Sequence, residues 1–140
     1  MIQQWIIYAL LSAVFAALVA IFGKIGLKSI DSNVATALRA FIMFLFMFLV
    51  VLFQKKFSLL SKLKMNEYSF IILAGVAGAL SWLFYFLALK EGSATKVVAL
   101  DRLSVVFVMI FALLFLGEAF SLKVLVGIVL IVLGAILMIL

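Results

Sequence analysis

Apolar residues fall into five long runs, Trp5–Phe22, Ala40–Phe53, Tyr68–Leu89, Leu103–Leu116 and Val124–Leu140, and polar residues gather between them. A bilayer core of about 30 Å takes about 20 apolar residues of helix to cross. Inside that core each backbone group must pair within its own segment, so runs of this length are helices. The pattern predicts an all-α integral membrane protein. Its five helices lie near 5–25, 34–53, 68–89, 97–116 and 123–140, within one domain over 1–140.

The polar interruptions set the boundaries. Gly23 and Gly26 close the first helix, and Asp31, Ser32 and Asn33 are good N-cap residues for the second. The segment Gln54–Glu67 is the one roomy loop and carries Lys55, Lys56, Lys62 and Lys64 against Glu67. Lys90–Thr95 and Gly117–Ser121 read as tight turns, with Ser121 suited to cap the last helix. No internal repeat is visible, and no proline kinks any span.

Two runs are too short to span alone. Ala40–Phe53 and Leu103–Leu116 hold 14 residues each, about 21 Å of helix at about 1.5 Å per residue. The second helix must therefore start near Val34 and take in Arg39. The fourth must start near Val97 and take in Asp101 and Arg102. Both helices enter from the same side, and Lys24 lies at the exit of the first helix on that side. The sequence thus places a polar cluster in one leaflet. Ionisable groups inside a membrane point to function by default. The other reading is that Arg39 and Arg102 snorkel to headgroups while Asp101 neutralises one of them. Asp101 itself has too short a stem to snorkel and is expected to pair with Arg39 or Arg102.

Several helices carry small or aromatic stripes. Gly75, Gly78, Trp82 and Tyr85, at spacings of three and four, share one face of the third helix. They either wall a hollow fit for a solute or combine close helix contact with rings facing lipid. Ser12, Ala16 and Ala20 form a packing stripe leading to Lys24. Gly127 and Gly134 share one face of the last helix and read as a helix–helix contact. Gly117 can stop the fourth helix, leaving Glu118 near the positive end of the fifth. That is a structural role, set against proton coupling.

Composition narrows the chemistry. The chain is 71% hydrophobic and 11% charged, more apolar than a soluble domain of this length can bury. It has no His and no Cys, which removes Cys/His metal sites, thiol nucleophiles and imidazole acid–base catalysis. No cofactor, metal or enzymatic activity is expected. The net charge of +6 fits loop lysines facing anionic lipid headgroups rather than nucleic acid. The first residues lack the basic stretch and cleavage site of a signal peptide, and Trp5 and Tyr8 suit the interfacial end of a first span.

At this point the residues resemble a known family. Phe115-Leu116-Gly117-Glu118 followed by the Gly127…Gly134 helix is similar to the end of an EamA-type repeat of the drug/metabolite transporter superfamily. Phe22-Gly23-Lys24 and Ala37-Leu38-Arg39 resemble its start, and Leu100-Asp101-Arg102-Leu103-Ser104 its five-span bacterial and archaeal branch. The resemblance covers essentially the whole chain. It implies secondary transport or export of small metabolites across the cytoplasmic membrane. It also implies a fold that is one half of a ten-helix, inverted-repeat transporter. In that fold helices 1, 3 and 4 line the path and the last helix joins the repeats. This chain holds one repeat. It lacks the membrane-embedded Glu in the first helix that small multidrug exporters of the superfamily use, so the resemblance does not imply proton-coupled multidrug export.

The expectation is a half-size transporter of a small organic solute, acting as an antiparallel homodimer with alternating access. Trp82, Tyr85, Arg39, Asp101 and Lys24 are its candidate solute-binding residues, and Gly127 and Gly134 its dimer contact. The competing expectation is a non-transporting membrane subunit or a component of a lipid-carrier flippase. Charge leaves orientation open. Five basic residues (Lys55, Lys56, Lys62, Lys64, Lys123) flank one side and six (Lys24, Lys28, Arg39, Lys90, Lys96, Arg102) the other, which is too little bias to choose.

Overall fold

The computed structural model describes residues 3–119 and 121–140. These are helical with short connections, and no strand occurs among them. Among the described residues, five helices are long and apolar enough to cross a membrane: Gln4–Gly26, Ser32–Phe53, Met65–Glu91, Ala94–Leu116 and Leu122–Ile139. The shortest has 18 residues, about 27 Å at the helical rise and close to the hydrocarbon thickness. Most large apolar side chains stay exposed, among them Phe41, Phe44 and Phe46 on the second helix and Phe70, Ile71 and Ile72 on the third. Lipid is the solvent that suits such a surface.

Each helix has a local reason to begin or end where it does. Helix α1 (Gln4–Gly26) runs through the first apolar stretch. Helix α2 (Ser32–Phe53) is capped by Asp31, whose carboxylate accepts from the backbone N–H of Asn33 at 2.8 Å and of Val34 at 3.3 Å. A 3₁₀ turn, Phe57–Lys62, follows in the lysine-rich loop. Helix α3 (Met65–Glu91) starts with Glu67 accepting from the Lys64 backbone N–H at 2.7 Å, half of a capping box. The Tyr68 hydroxyl ties the loop down by donating to the Leu60 carbonyl at 2.8 Å.

The fourth span differs from the single helix expected over 97–116. It is built from α4 (Ala94–Asp101), α5 (Ser104–Phe111) and a π-helical turn, Ala112–Leu116. Between α4 and α5 the backbone tightens. Leu103 N–H donates to Leu100 at 2.9 Å, Val105 to Arg102 at 3.2 Å and Val106 to Leu103 at 3.0 Å. Asp101 is thus the last residue of a helix, while Arg102 sits in the turn rather than inside a helix. Gly117 ends the span with φ 65°, a conformation that costs other residues about 1–2 kcal/mol. Its neighbour Glu118 donates its backbone N–H to the Ala112 carbonyl at 3.3 Å. Helix α6 (Leu122–Ile139) completes the chain. Ser121 stands at its N-cap in extended conformation, but its hydroxyl makes no capping bond. Phe120, in the predicted turn, lies outside the described residues.

The chain divides into two compact units. One is Gly23–Lys90, comprising the end of α1, α2, the loop and nearly all of α3. Leu27, Phe86, Leu89 and Ser32 are buried there. A Cβ at Gly23 would lie 3.4 Å from Phe86 and 3.5 Å from Leu89, so glycine lets the chain approach α3 closely. The other unit joins α1, as far as Phe22, to Glu91–Leu140. Ala20, Ala99, Ala112, Ile128 and Ala135 are its buried apolar residues. Four of the five are alanine, as close packing in lipid requires. Here α4 packs on α6, and Lys96 Nζ donates to the Ile139 carbonyl at 2.7 Å, satisfying a backbone group at the end of α6.

Candidate functional site

A concavity lies within the Gly23–Lys90 unit, between α2 and α3. It is an open groove of about 910 Å³. Asn33, Thr36, Arg39, Met43, Phe44 and Met47 supply its α2 wall; Gly75, Gly78 and Trp82 stand on the α3 wall. Helical geometry explains the convergence. Thr36, Ala40, Met43 and Met47 recur at spacings of four, three and four, and Gly75, Gly78 and Trp82 at three and four, so each set forms one face. The glycines leave the groove open, since a Cβ at either Gly75 or Gly78 would meet nothing within 4 Å.

Arg39 is half-buried on α2, and its guanidinium carbon lies 3.5 Å from the centre of the Trp82 ring. The Phe86 ring is 5.6 Å away. Tyr85 packs edge-on against Trp82, with ring centres 5.2 Å apart, and Phe86 meets Trp82 at 6.1 Å. A charge at the centre of a membrane helix costs about 2.5–3.5 kcal/mol on insertion scales, and Arg39, nearer the start of α2, bears a smaller share of that cost. Stacking on an aromatic face returns about 0.5–2 kcal/mol, depending on desolvation. The stack uses the flat face of the guanidinium and leaves its N–H edge uncommitted. Among the described residues, no hydrogen bond from that edge is formed.

The other predicted residues fall in different places. Tyr85 was expected to share the cavity wall with Trp82. It packs edge-on against Trp82 and is not among the residues that line the groove. Lys24 serves the backbone: its Nζ donates to the Leu89 carbonyl at 2.6 Å and the Lys90 carbonyl at 3.2 Å, at the C-terminal end of α3. Lys90 in turn donates to the Ile30 carbonyl at 3.2 Å. Asp101 belongs to the other unit, is exposed, and among the described residues forms no ion pair with Arg102. A Cβ at Gly127 or Gly134 would meet nothing within 4 Å, so neither glycine packs closely inside the chain. Glu118 and Ser121 border a smaller apolar hollow of about 190 Å³ with Val105, Val108 and Ile128. The α2 wall of the main groove escaped the sequence reading, although the Thr36–Met47 spacing carries its signal.

Five apolar helices and an apolar groove holding an embedded cation define a multi-pass helical membrane protein. The chain belongs to the EamA-like transporter family, which matches it over residues 3–140. It is also 41% identical over 138 residues to a protein of Sinorhizobium sp described as an uncharacterized transporter in the cobO 3′ region. That similarity covers 99% of this chain and 98% of the relative. No solved structure matches. Membership of this family and the name of the relative point to transport rather than catalysis.

Proposed function

We propose that this protein is a half-size secondary transporter of a small organic metabolite in the cytoplasmic (inner) membrane, working as an antiparallel homodimer with alternating access. The observation that carries the proposal is the α2–α3 groove, with the Arg39–Trp82 stack on its wall. Such a groove is large enough for a small organic solute. The relative that matches nearly end to end is of similar length, so a single repeat is not peculiar to this chain.

The dimer follows from physical need. A family path formed between two inverted repeats requires a second copy when the chain carries one repeat. The open Gly127/Gly134 face of α6 offers a surface for close approach. The near-even charge of the two sides allows both orientations.

Reconstitution tests the transport claim. Liposomes containing this protein alone are loaded and assayed with amino acids, polyamines, quaternary ammoniums, sugar phosphates and alkyl sulfonates. Protein-dependent, saturable flux of at least one class is expected. Flux of none favours the non-transporting subunit or flippase component. Orientation is read separately. The chain has no Cys, so Lys62→Cys provides one labelling site, expected to react from both faces of intact cells. Reaction from one face alone would refute the inverted pair.

A further inference from the structure

We infer that the α2–α3 groove selects an amphipathic organic anion, its carboxylate, phosphate or sulfonate on the Arg39 guanidinium edge and its apolar body along Met43, Phe44 and Met47. This deepens the transport proposal by naming the charge class of the solute, and it rests on that reading of the groove as the solute site.

Three features of the groove lead there. First, the ring that would attract an organic cation is already taken. Arg39 lies 3.5 Å over Trp82, so a quaternary ammonium would have to displace an internal cation to use the same ring face. Second, the lining contains one charged side chain, and it is positive. Asn33 and Thr36 are the other polar residues, and no Asp or Glu is among the lining residues. A cation entering this space meets repulsion with no carboxylate to offset it.

Third, the stacked guanidinium remains a donor. Its plane is fixed by the ring while its N–H edge carries no hydrogen bond among the described residues. A planar fork held in place is suited to paired contacts with two oxygens of an oxyanion. Thr36 and Asn33, also on the α2 wall, stand about one and two turns before Arg39. The Thr36 hydroxyl donates to the Ser32 carbonyl at 2.7 Å, which leaves its oxygen for accepting. The anion is therefore held chiefly by Arg39. From Arg39 to Met47 the α2 wall runs about 12 Å at the helical rise and is apolar, with Gly75 and Gly78 opposite. That stretch seats a hydrocarbon body and offers a fully polar sugar or amino acid nothing to bond.

The same anionic chemistry is presented by a soluble organic acid and by a lipid headgroup, and the test separates them. The chain has two tryptophans, so Trp5→Phe leaves Trp82 as the only indole, in the wall of the site. This variant is placed in phosphatidylcholine nanodiscs and titrated with hexanesulfonate, hexyl phosphate, hexyltrimethylammonium and hexanol. A saturable change in Trp82 emission is expected for both anions, with the cation and the alcohol at least about tenfold weaker. Arg39→Gln should weaken anion binding about tenfold or more and Arg39→Lys less, as expected for loss of a charge-assisted contact. A parallel set of discs carries phosphatidylglycerol. An Arg39-dependent change on adding that lipid, with hexanesulfonate binding weakened, supports the site and identifies the headgroup as its occupant. Soluble anion binding that ignores the lipid supports it with a free solute as occupant. Equal binding of anion and cation, or no Arg39-dependent response to any anion, overturns the inference. Should Arg39→Gln fail to fold, the anion-to-cation ratio in the Trp5→Phe protein still decides. Binding is read without flux, so anion binding with silent liposomes sinks transport and leaves this inference standing. Flux without anion selectivity does the reverse.

Discussion

Replacing Lys24 with methionine separates a structural role from a solute-binding one. Methionine keeps the unbranched apolar stem and removes only the ammonium. In α3 the last four carbonyls have no partner within the helix. Two of them, Leu89 and Lys90, receive the Lys24 ammonium at 2.6 Å and 3.2 Å. The Leu89 residue is fully buried, so losing its charged donor weighs most, about 1.5–2 kcal/mol. The Lys90 contact is exposed and adds a few tenths at most. The lost favourable charge at the negative end of the helix adds about 0.3–1 kcal/mol. Lys24→Met should therefore lower stability by about 2–3 kcal/mol. Reversible unfolding in mixed micelles, titrated with denaturing detergent and followed by circular dichroism, measures this. Amide exchange should accelerate first near the C-terminal end of α3. Solute affinity of the folded fraction should stay unchanged. A variant with stability within about 0.5 kcal/mol of the parent but with lost solute binding would refute the capping account and return Lys24 to the site.

Other substitutions test separate parts of the account. Gly127→Leu with Gly134→Leu should leave the single chain folded, since a Cβ meets nothing at either position, yet reduce the dimer fraction in cross-linking; an unchanged fraction rules out α6 as the contact. Lys55 holds φ 54° after α2, so Lys55→Gly should raise stability by about 0.5–1 kcal/mol, the left-handed strain relieved less the entropy glycine adds; a loss of stability would contradict that geometry. Asp101→Asn removes no ion pair with Arg102, so stability should stay within about 0.5 kcal/mol, whereas liposome flux should fall if the carboxylate touches the path. Glu67→Gln is the control, because glutamine can still accept from the Lys64 N–H. Equal flux in the two variants removes Asp101 from the mechanism.

Much of the fold could be read from run length alone. The 14-residue runs had to extend toward Arg39 and Asp101, and both residues are helical. The α3 wall of the groove was legible too, because Gly75, Gly78 and Trp82 obey the helical period. Its partner wall was less visible: Met43 and Met47 look like any lipid-facing residues until α3 lies beside them. The Arg39–Trp82 stack joins residues far apart in sequence, and no local pattern predicts which ring a guanidinium will cover. The same holds for Lys24, whose partners are backbone carbonyls that carry no residue-type signal. The turn at Arg102 and Leu103 contains neither Pro nor Gly, so nothing in that stretch announces a break. Ser121 has the right type and backbone for a cap, but its hydroxyl is not used.

The central claim is that solute crosses through the α2–α3 groove. Filling the groove without disturbing the fold tests it most directly. At Gly75 and Gly78 a side chain enters open space, so Gly75→Phe with Gly78→Phe should fold and insert as the parent does. Parent and variant are reconstituted in equal amounts in liposomes, and uptake is measured across the same solute classes. The parent is predicted to move at least one class in a saturable way, and the filled variant to move it at least about tenfold more slowly, as expected when more than about 1.4 kcal/mol is added to the barrier. Equal uptake by a correctly folded, filled variant would contradict the account.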